Sequence, residues 1–207
     1  MTIEDRLTTL DTLWSVWAEH GRAMTDEQWG RPTRLGTWDV RSLYAHAVSW
    51  PFAFTSLVGR VRDAEPTYAT AAALLRDFNN PDGVANRLRD RVAAGAREDA
   101  ARYSTAQMVE QFASAGPRAI AIARRLGPVA VDYFGQAILR LDEAVSIGIM
   151  EATVHLLDLQ RALGRSPDVP VDGLAHTTAL LAGMASPVDF IEAATGRGGA
   201  DLFPVLT

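Results

Sequence analysis

The stretch LDEAVSIGIMEATVHLLDLQRALG, residues 141–164, decides the fold of this chain. Apolar residues cover nearly every face of a helix drawn through it, which is typical of a helix that is buried on all sides. Acidic residues stand in its first turn, Arg161 stands in its last turn and Gly164 follows, as the helix dipole and C-terminal capping favour. The sequence therefore predicts a central helix from about Leu141 to Leu163, against which other helices pack.

Two polar residues interrupt this apolar helix near its middle. Glu151 and His155 are four residues apart, which places them one turn apart on the same stripe, and Asp158 falls on that stripe as well. A buried carboxylate without a partner is costly, so something must compensate its charge. On spacing alone three interpretations stay open: a hydrogen-bonded pair in a polar seam, a pair of metal ligands, or an acid–base dyad without metal.

A second predicted helix offers a third candidate ligand. His46 lies between Leu43 and Trp50, again in apolar company. A lone histidine in such a place is more often a satisfied core residue than a ligand. His46 becomes a ligand only if its helix packs beside the helix that carries Glu151.

The other two histidines give weaker signals. His20 stands beside Gly21 at the end of the first predicted helix, where a cation stabilises the C-terminus. His176 lies in a late helix and has no acidic residue one turn away, so it is interpreted as structural or exposed.

The rest of the sequence is mostly helical by its apolar spacing and its capping residues. Gly21 is placed to end the first helix, Asp39 to cap the second, and Pro51 to kink it. Long amphipathic segments with few strand patterns predict an all-α fold, an up-and-down helical bundle. The approximate predicted helices are 3–20, 39–60, 83–102, 104–126, 172–185 and 187–194; residues 63–82 are less regular, and residues 129–138 form an extended connector.

Composition excludes several classes of function. The 207 residues carry a formal net charge of −5 without a block of like charge, which disfavours nucleic-acid binding. No apolar run approaches a bilayer span and no signal peptide is visible, so no membrane contact is expected. The chain contains neither cysteine nor lysine, which excludes a thiol nucleophile or a Schiff base of its own. Together these features favour a cytoplasmic protein with one main domain.

Two segments resemble the signature helices of a known family. LGTWDVRSLYAHAVSW (35–50) and EATVHLLDLQRALGR (151–165) resemble those of the DinB-like superfamily and, more narrowly, of its mycothiol-dependent maleylpyruvate isomerase group. That group pairs a W-x-V-x-x-L-x-x-H segment with a later E-x-x-x-H-x-x-D-L segment, and its metal ligands are the two histidines and the glutamate. Position by position, the resemblance implies that His46, Glu151 and His155 are metal ligands.

The resemblance also has consequences for the architecture. It implies a DinB-like four-helix bundle over residues 1–165, followed by a short extension with extra helices over residues 166–207, truncated relative to longer members. The segment FIEAATGRGG (190–199) is similar to one that ends in TGR in those members. Arg197 is therefore a candidate for binding an anionic group of the cofactor or substrate. Because dimerisation through bundle faces is common in the superfamily, a homodimer is a further expectation.

The implied function is that of a metal-dependent enzyme. Zinc is the expected metal, with nickel, iron and manganese as alternatives, and mycothiol is the expected thiol co-substrate. The thiol would undergo S-transfer to an electrophilic small molecule or promote its isomerisation. Asp158 is either an orienting partner of His155 or a plain surface or interhelix carboxylate, and Trp38 and Trp50 are interpreted as core anchors. The alternative function is a non-catalytic helical module that senses a metal or a thiol or binds another protein.

Overall fold

The structure, a computed structural model, describes residues 1–198 and 204–205. Within these residues the chain is mainly helical, as predicted, and adds one small antiparallel sheet. A 3-10 turn covers Leu57–Arg60, and a π-helical turn, Gln111–Ala115, joins two of the helices without a break. The helices are α1 (Ile3–Ala23), α2 (Asp26–Trp29), α3 (Val40–Thr55), α4 (Ala71–Phe78), α5 (Val84–Arg102), α6 (Thr105–Glu110), α7 (Gly116–Leu126), α8 (Leu141–Ala162), α9 (Val171–Met184) and α10 (Pro187–Ala194).

Four helical segments form the core: α1, α3, the α6–α7 segment and α8. Helix α1 packs against α8 and α7, and α3 packs against the same two helices. Large aromatic side chains fill the space between them, among them the fully buried Trp14, Trp17, Tyr44 and Phe112. The predicted all-α helical bundle is therefore confirmed, with α8 as the buried central helix that its apolar sequence predicts.

Helices α1 and α8 run in the same direction. Arg6 near the start of α1 contacts Glu143 near the start of α8, at 2.8 Å between Nη1 and Oε1. Further along both helices, the Trp17 indole donates a hydrogen bond of 3.0 Å to the carbonyl of Ala152. The first and last helices of the bundle are thus parallel neighbours.

Helices α3 and α7 both run antiparallel to α1. Tyr44 near the start of α3 lies beside Gly21 near the end of α1. Arg124 near the end of α7 pairs with Glu4 near the start of α1, at 2.8 Å. The expected up-and-down alternation therefore holds from α1 to α3 and from α7 to α8, whereas α3 and α7 point the same way. The long connection through α4 and α5 lets the chain return before α6 begins.

A three-stranded sheet lies next to the start of α8. The segment 129–138, expected to be an extended connector, contains part of a β-hairpin whose turn places Phe134 and Gly135 at positive φ angles of 53° and 70°. The third strand leads directly into α8, so the hairpin is held against the bundle. The strands follow the antiparallel order β1 (Val61–Arg62), β2 (Ala130–Tyr133) and β3 (Ala137–Arg140).

The expected role of Gly21 in ending the first helix is wrong, because α1 continues to Ala23. Gly21 is buried, and a Cβ atom at this position would overlap the Tyr44 hydroxyl and the Val109 side chain. The glycine is therefore required by the close approach of α3 and α6 to α1.

Two further boundaries differ from the prediction. The stretch 63–82, expected to be irregular, contains α4, which Thr70 caps by accepting a hydrogen bond from the N–H three residues later. Its apolar face packs against α9 and α8, and this tertiary contact stabilises a helix too short to persist alone. The second predicted helix ends at Thr55 rather than near Arg60 and contains Pro51 within it.

Beyond residue 165 the chain adds α9 and α10. Helix α9 packs against α8, α4 and α1, and α10 packs against α9. The final part of the predicted extension, residues 199–203 and 206–207, lies outside the described residues, and the division of the chain at residue 165 stays a prediction. Within the part of the chain that the structure describes, no helix is both long and apolar enough to cross a membrane.

Candidate metal centre

The three residues singled out by sequence lie together where α3 packs against α8. His46 comes from α3, and Glu151 and His155 lie one turn apart on α8. The Glu151 Oε2 atom is 3.6 Å from His46 Nε2 and 3.4 Å from His155 Nε2. One donor atom from each residue lies within 4.8 Å of the other two, a spacing at which three side chains can share one ion.

The cluster is half-buried and has a closed side made of aromatic rings. The side chains of His46, Glu151 and His155 keep 20%, 23% and 16% of their surface exposed, so the cluster is not fully sealed from solvent. Behind Glu151 and His155, the bundle core supplies Trp14, Trp17, Trp50 and Phe112. These rings shield one side of the cluster from water.

Asp158 fixes the orientation of the His155 ring. Its Oδ2 atom lies 3.0 Å from His155 Nδ1, and its Oδ1 atom accepts a hydrogen bond of 2.6 Å from Arg34 Nε. The Asp158 side chain is only 2% exposed, so its charge is matched by these neighbours rather than by water. Because a carboxylate accepts, Nδ1 carries a proton, so Nε2, which faces Glu151 and His46, is the nitrogen whose proton a metal ion would replace.

Charge within the cluster favours a cation between the side chains. Burial opposes the ionisation of Glu151, but hydrogen bonds from His155 and His46 outweigh it and hold the pKa of this carboxyl well below its ordinary value. Burial likewise lowers the pKa of His155, yet the neighbouring Asp158 and Glu151 carboxylates raise it to about 9. In the metal-free protein, a proton on His155 therefore supplies positive charge that a metal ion would otherwise bring.

The donor set fits a divalent metal. Two imidazole nitrogens and one carboxylate are ligands that zinc accepts, and three protein ligands leave room for water or substrate, as in catalytic rather than structural zinc sites. The hydrogen bond from His155 to Asp158 is the second contact that metal-bound histidines ordinarily make. Metal binding by His46, Glu151 and His155 stays a prediction that this geometry supports.

Two residues beside the cluster were missed by sequence reasoning. Arg34 lies in the loop between α2 and α3, where no helical spacing connects it to Asp158. Tyr133 lies on β2 with its ring centroid 6.4 Å from that of Trp50. Burial and the nearby Glu151 carboxylate raise the pKa of Tyr133, which keeps its hydroxyl protonated. Its own aromatic side chain, at the end of β2, was the only sequence signal for Tyr133.

Both tryptophans named from sequence lie close to the centre. Trp50 is a buried core residue, as expected, and also lines the closed side of the cluster. Trp38 is partly buried and packs on the core, and its ring centroid lies 5.1 Å from that of His46. Trp38 therefore supports a candidate ligand in addition to anchoring the core.

The remaining candidates lie outside the cluster. His20 contacts Arg165 and Gln160, and burial together with the Arg165 charge lowers its pKa, so the neutral ring is favoured instead of the expected cation. His176 is half-buried on α9. Arg197 is exposed beyond α10, where its N–H donates to the Glu192 carbonyl at 2.8 Å, and its anion-binding role stays a prediction.

Comparison with known proteins gives one family and one fold. Residues 10–160 match the family described as mycothiol maleylpyruvate isomerase N-terminal domain. Among solved structures, the chain is similar to a mycothiol-dependent maleylpyruvate isomerase, with 16% identity, a TM-score of 0.57, and coverage of 96% of this chain and 74% of that one. A histidine-to-alanine mutant of such an isomerase gives 15% identity, a TM-score of 0.58 and the same coverage. At this identity the likeness shows the fold alone, and no curated protein matches the chain.

Proposed function

The chain belongs to the mycothiol maleylpyruvate isomerase N-terminal domain family, and from this membership and the site geometry we propose that it is a metal- and thiol-dependent enzyme. His46, Glu151 and His155 hold one divalent metal, zinc, at the junction of α3 and α8. The reaction is isomerisation of, or S-transfer to, an electrophilic small molecule, with mycothiol as the thiol.

One observation carries this proposal. Three donor atoms from two helices lie within 4.8 Å of one another, and Asp158 holds Nδ1 of His155 so that Nε2 faces the cluster. A polar seam needs no such convergence, since Glu151 and His155 could satisfy each other on α8 alone. The position of His46 on a separate helix supports metal binding over the two other interpretations.

The side chains of this centre hold and orient the reactants. A divalent metal bound here supplies a Lewis-acid position that favours the thiolate form of a small thiol. His46 and His155 donate nitrogen ligands, Glu151 donates a carboxylate oxygen, and Asp158 keeps the His155 ring in its orientation. The aromatic wall behind them excludes water, which strengthens the electrostatic interactions on that side.

The thiol must come from outside the protein, because the chain contains no cysteine. A thiolate that adds to one carbon of a cis double bond moves the π electrons toward the conjugated carbonyl and leaves a single bond about which the adduct can rotate. Elimination then expels the same thiolate and restores the double bond in the trans form. The thiol is regenerated and no oxidant or reductant is consumed, which matches an isomerase named for its dependence on a thiol.

Elemental analysis of chelator-free protein tests the metal. We expect close to one zinc per chain in the wild type and almost none in His155→Ala. His176→Ala is the matched control, because this half-buried histidine lies outside the cluster, and it should keep its zinc. Wild-type protein that stays metal-free after incubation with zinc would contradict the proposal.

Turnover of maleylpyruvate with mycothiol tests the chemistry. Conversion to the trans isomer should require both the thiol and the metal, and it should disappear in His155→Ala but persist in His176→Ala. A protein that binds zinc yet turns over neither maleylpyruvate nor a panel of thiol-reactive electrophiles would favour the alternative function, a metal- or thiol-sensing module.

A further inference from the structure

We propose that Arg34 is the specificity-determining residue of this centre and binds an anionic group, a carboxylate, of the electrophilic substrate. The inference rests on the proposed function and deepens it by naming a substrate class and a residue. It assigns this role to a residue of the bundle itself, whereas sequence reasoning placed it on Arg197.

Arg34 contacts Asp158, which in turn holds His155, through one of its nitrogens and keeps the others available. Its Nε donates a hydrogen bond of 2.6 Å to Asp158 Oδ1, and the other oxygen of Asp158 holds His155. Among the contacts of the described residues, none involves the two terminal nitrogens of Arg34, and its side chain is 58% exposed. A guanidinium has five N–H donors, so four remain for a ligand.

The loop that carries Arg34 has a defined shape. The hydroxyl of Thr33 donates to the carbonyl of Trp38 at 2.8 Å and accepts from the N–H of Leu35 at 3.1 Å. The N–H of Thr33 also donates to the Trp38 carbonyl, at 2.9 Å. These bonds close the loop, so Trp38 meets the His46 ring while Arg34 meets Asp158. Arg34 is thereby held beside Asp158 before any ligand arrives, which lowers the entropic cost of binding.

Charge at the loaded centre favours an anion. A divalent metal together with Glu151 and Asp158 is neutral, and Arg34 then adds one positive charge. Planar guanidinium groups bind carboxylates through two parallel hydrogen bonds, and these bonds are stronger than those between neutral groups. Arg34 is tied to Asp158 by Nε alone, so its terminal nitrogens can make such a pair without giving up Asp158.

Binding of maleate to the zinc-loaded protein, measured by calorimetry without any thiol, tests the inference apart from turnover. Maleate is the anionic probe and its neutral diamide is the matched ligand. We expect wild type to bind maleate more tightly than the diamide. Arg34→Gln should weaken maleate binding by about tenfold to a hundredfold, the range for a hydrogen bond to a charged group, with little effect on the diamide.

Two variants separate this role from a structural one. Arg97→Gln removes a guanidinium that contacts Thr37 in the same loop at 3.3 Å, and it should leave maleate affinity unchanged. Asp158→Asn should weaken zinc retention and, because it weakens the contact that positions Arg34, should also lower maleate affinity at saturating zinc.

The outcomes distinguish the inference from the proposed function. Loss of maleate binding in Arg34→Gln supports the role of Arg34 even if no turnover is found. Unchanged maleate affinity in Arg34→Gln, or no binding of maleate by the wild type, overturns the role of Arg34 and leaves the metal centre intact. If the enzyme turns over, Arg34→Gln should raise KM for an anionic electrophile and leave KM for a neutral one unchanged.

Discussion

Two acidic clusters on the same helix, α8, are neutralised in different ways. Near the start of α8, Glu143 accepts from the Arg6 guanidinium at 2.8 Å and from the Ala71 N–H at 2.6 Å. Asp142 is paired with Arg140 at 2.7 Å. In this region each carboxylate meets a guanidinium, which keeps its charge at every ordinary pH.

In the middle of α8, the carboxylate of Glu151 pairs with two imidazoles. Its neighbours at 3.4 and 3.6 Å are the Nε2 atoms of His155 and His46, whose charge depends on a proton or a metal. The first cluster is complete within the chain and stabilises the fold, whereas the charge balance of the second depends on a proton or on the proposed metal. This difference separates a structural ion pair from the proposed binding site on the same helix.

The largest expected contrast comes from the same substitution in both clusters. Glu151→Gln removes a charged ligand, so zinc affinity should fall by more than about 100-fold. This loss exceeds the usual effect of mutating a residue that only hydrogen-bonds to a ligand. Glu143→Gln should keep its zinc but lose about 1–3 kcal/mol of unfolding free energy, because a buried charge partner is weakened. Zinc titration and thermal melting measure the two effects. Equal zinc loss in both variants would erase the distinction between the clusters.

A smaller loss of zinc affinity is expected for Asp158, which holds His155 but is not itself a candidate ligand. Asp158→Asn keeps the shape of the side chain but removes the charge that orients His155, so zinc affinity should fall by about 10- to 100-fold. Competition with a chromogenic zinc chelator measures this change. Retention of wild-type affinity would mean that Asp158 serves only Arg34.

The pH dependence should differ between the metal-free and zinc-loaded protein. Because the pKa of His155 is raised from 6.5 to about 9, its protonated form stabilises the metal-free fold. That stabilisation is complete below about pH 6.5 and is lost as the pH rises through about 9. Zinc competes with the same proton, so its apparent affinity should rise over this range by about tenfold per pH unit. Thermal melts with chelator and zinc titrations from about pH 6 to 10 check both trends; two flat profiles would contradict the raised pKa.

The smallest expected effect concerns Tyr133. Its protonated hydroxyl lies near Glu151. Tyr133→Phe should therefore lower kcat by roughly twofold to tenfold, which corresponds to the net free energy of one hydrogen bond. Zinc content should be unchanged. Tyr68→Phe is the control, since the Tyr68 hydroxyl bonds Asp77 at 2.5 Å and is exposed. Steady-state rates of both variants, compared with wild type, decide whether Tyr133 acts on the reaction.

The parts of this fold that the sequence predicts are those that depend on local signals. Helix α8 follows from apolar residues on all faces and from acidic and basic residues at its ends, and the structure places it within one residue of the prediction. Helix α4 was missed because prolines and asparagines surround it, although Thr70 caps it. Its stability comes from packing against α9, a contact that spacing along the chain does not reveal.

The candidate site divides in the same way. Glu151 and His155 were found because their spacing of one turn is local, and His46 because a family motif placed it. Arg34 was not found, since its partner Asp158 is 124 residues away. The loop between α2 and α3 that carries Arg34 also has no periodic pattern. Tyr133 was overlooked because its strand was interpreted as a connector, and the hairpin that presents it depends on pairing with β3.

Helix α3 packs against α8 although the two helices are far apart along the chain. His46 and Glu151 meet in space but are separated along the chain by about half of its length. A cation shared between them would close a loop of about a hundred residues, which removes more freedom from an unfolded chain than a short loop does. A protein without cysteine has no disulfide to tie its chain in this way, and a metal ion would serve as its reversible crosslink.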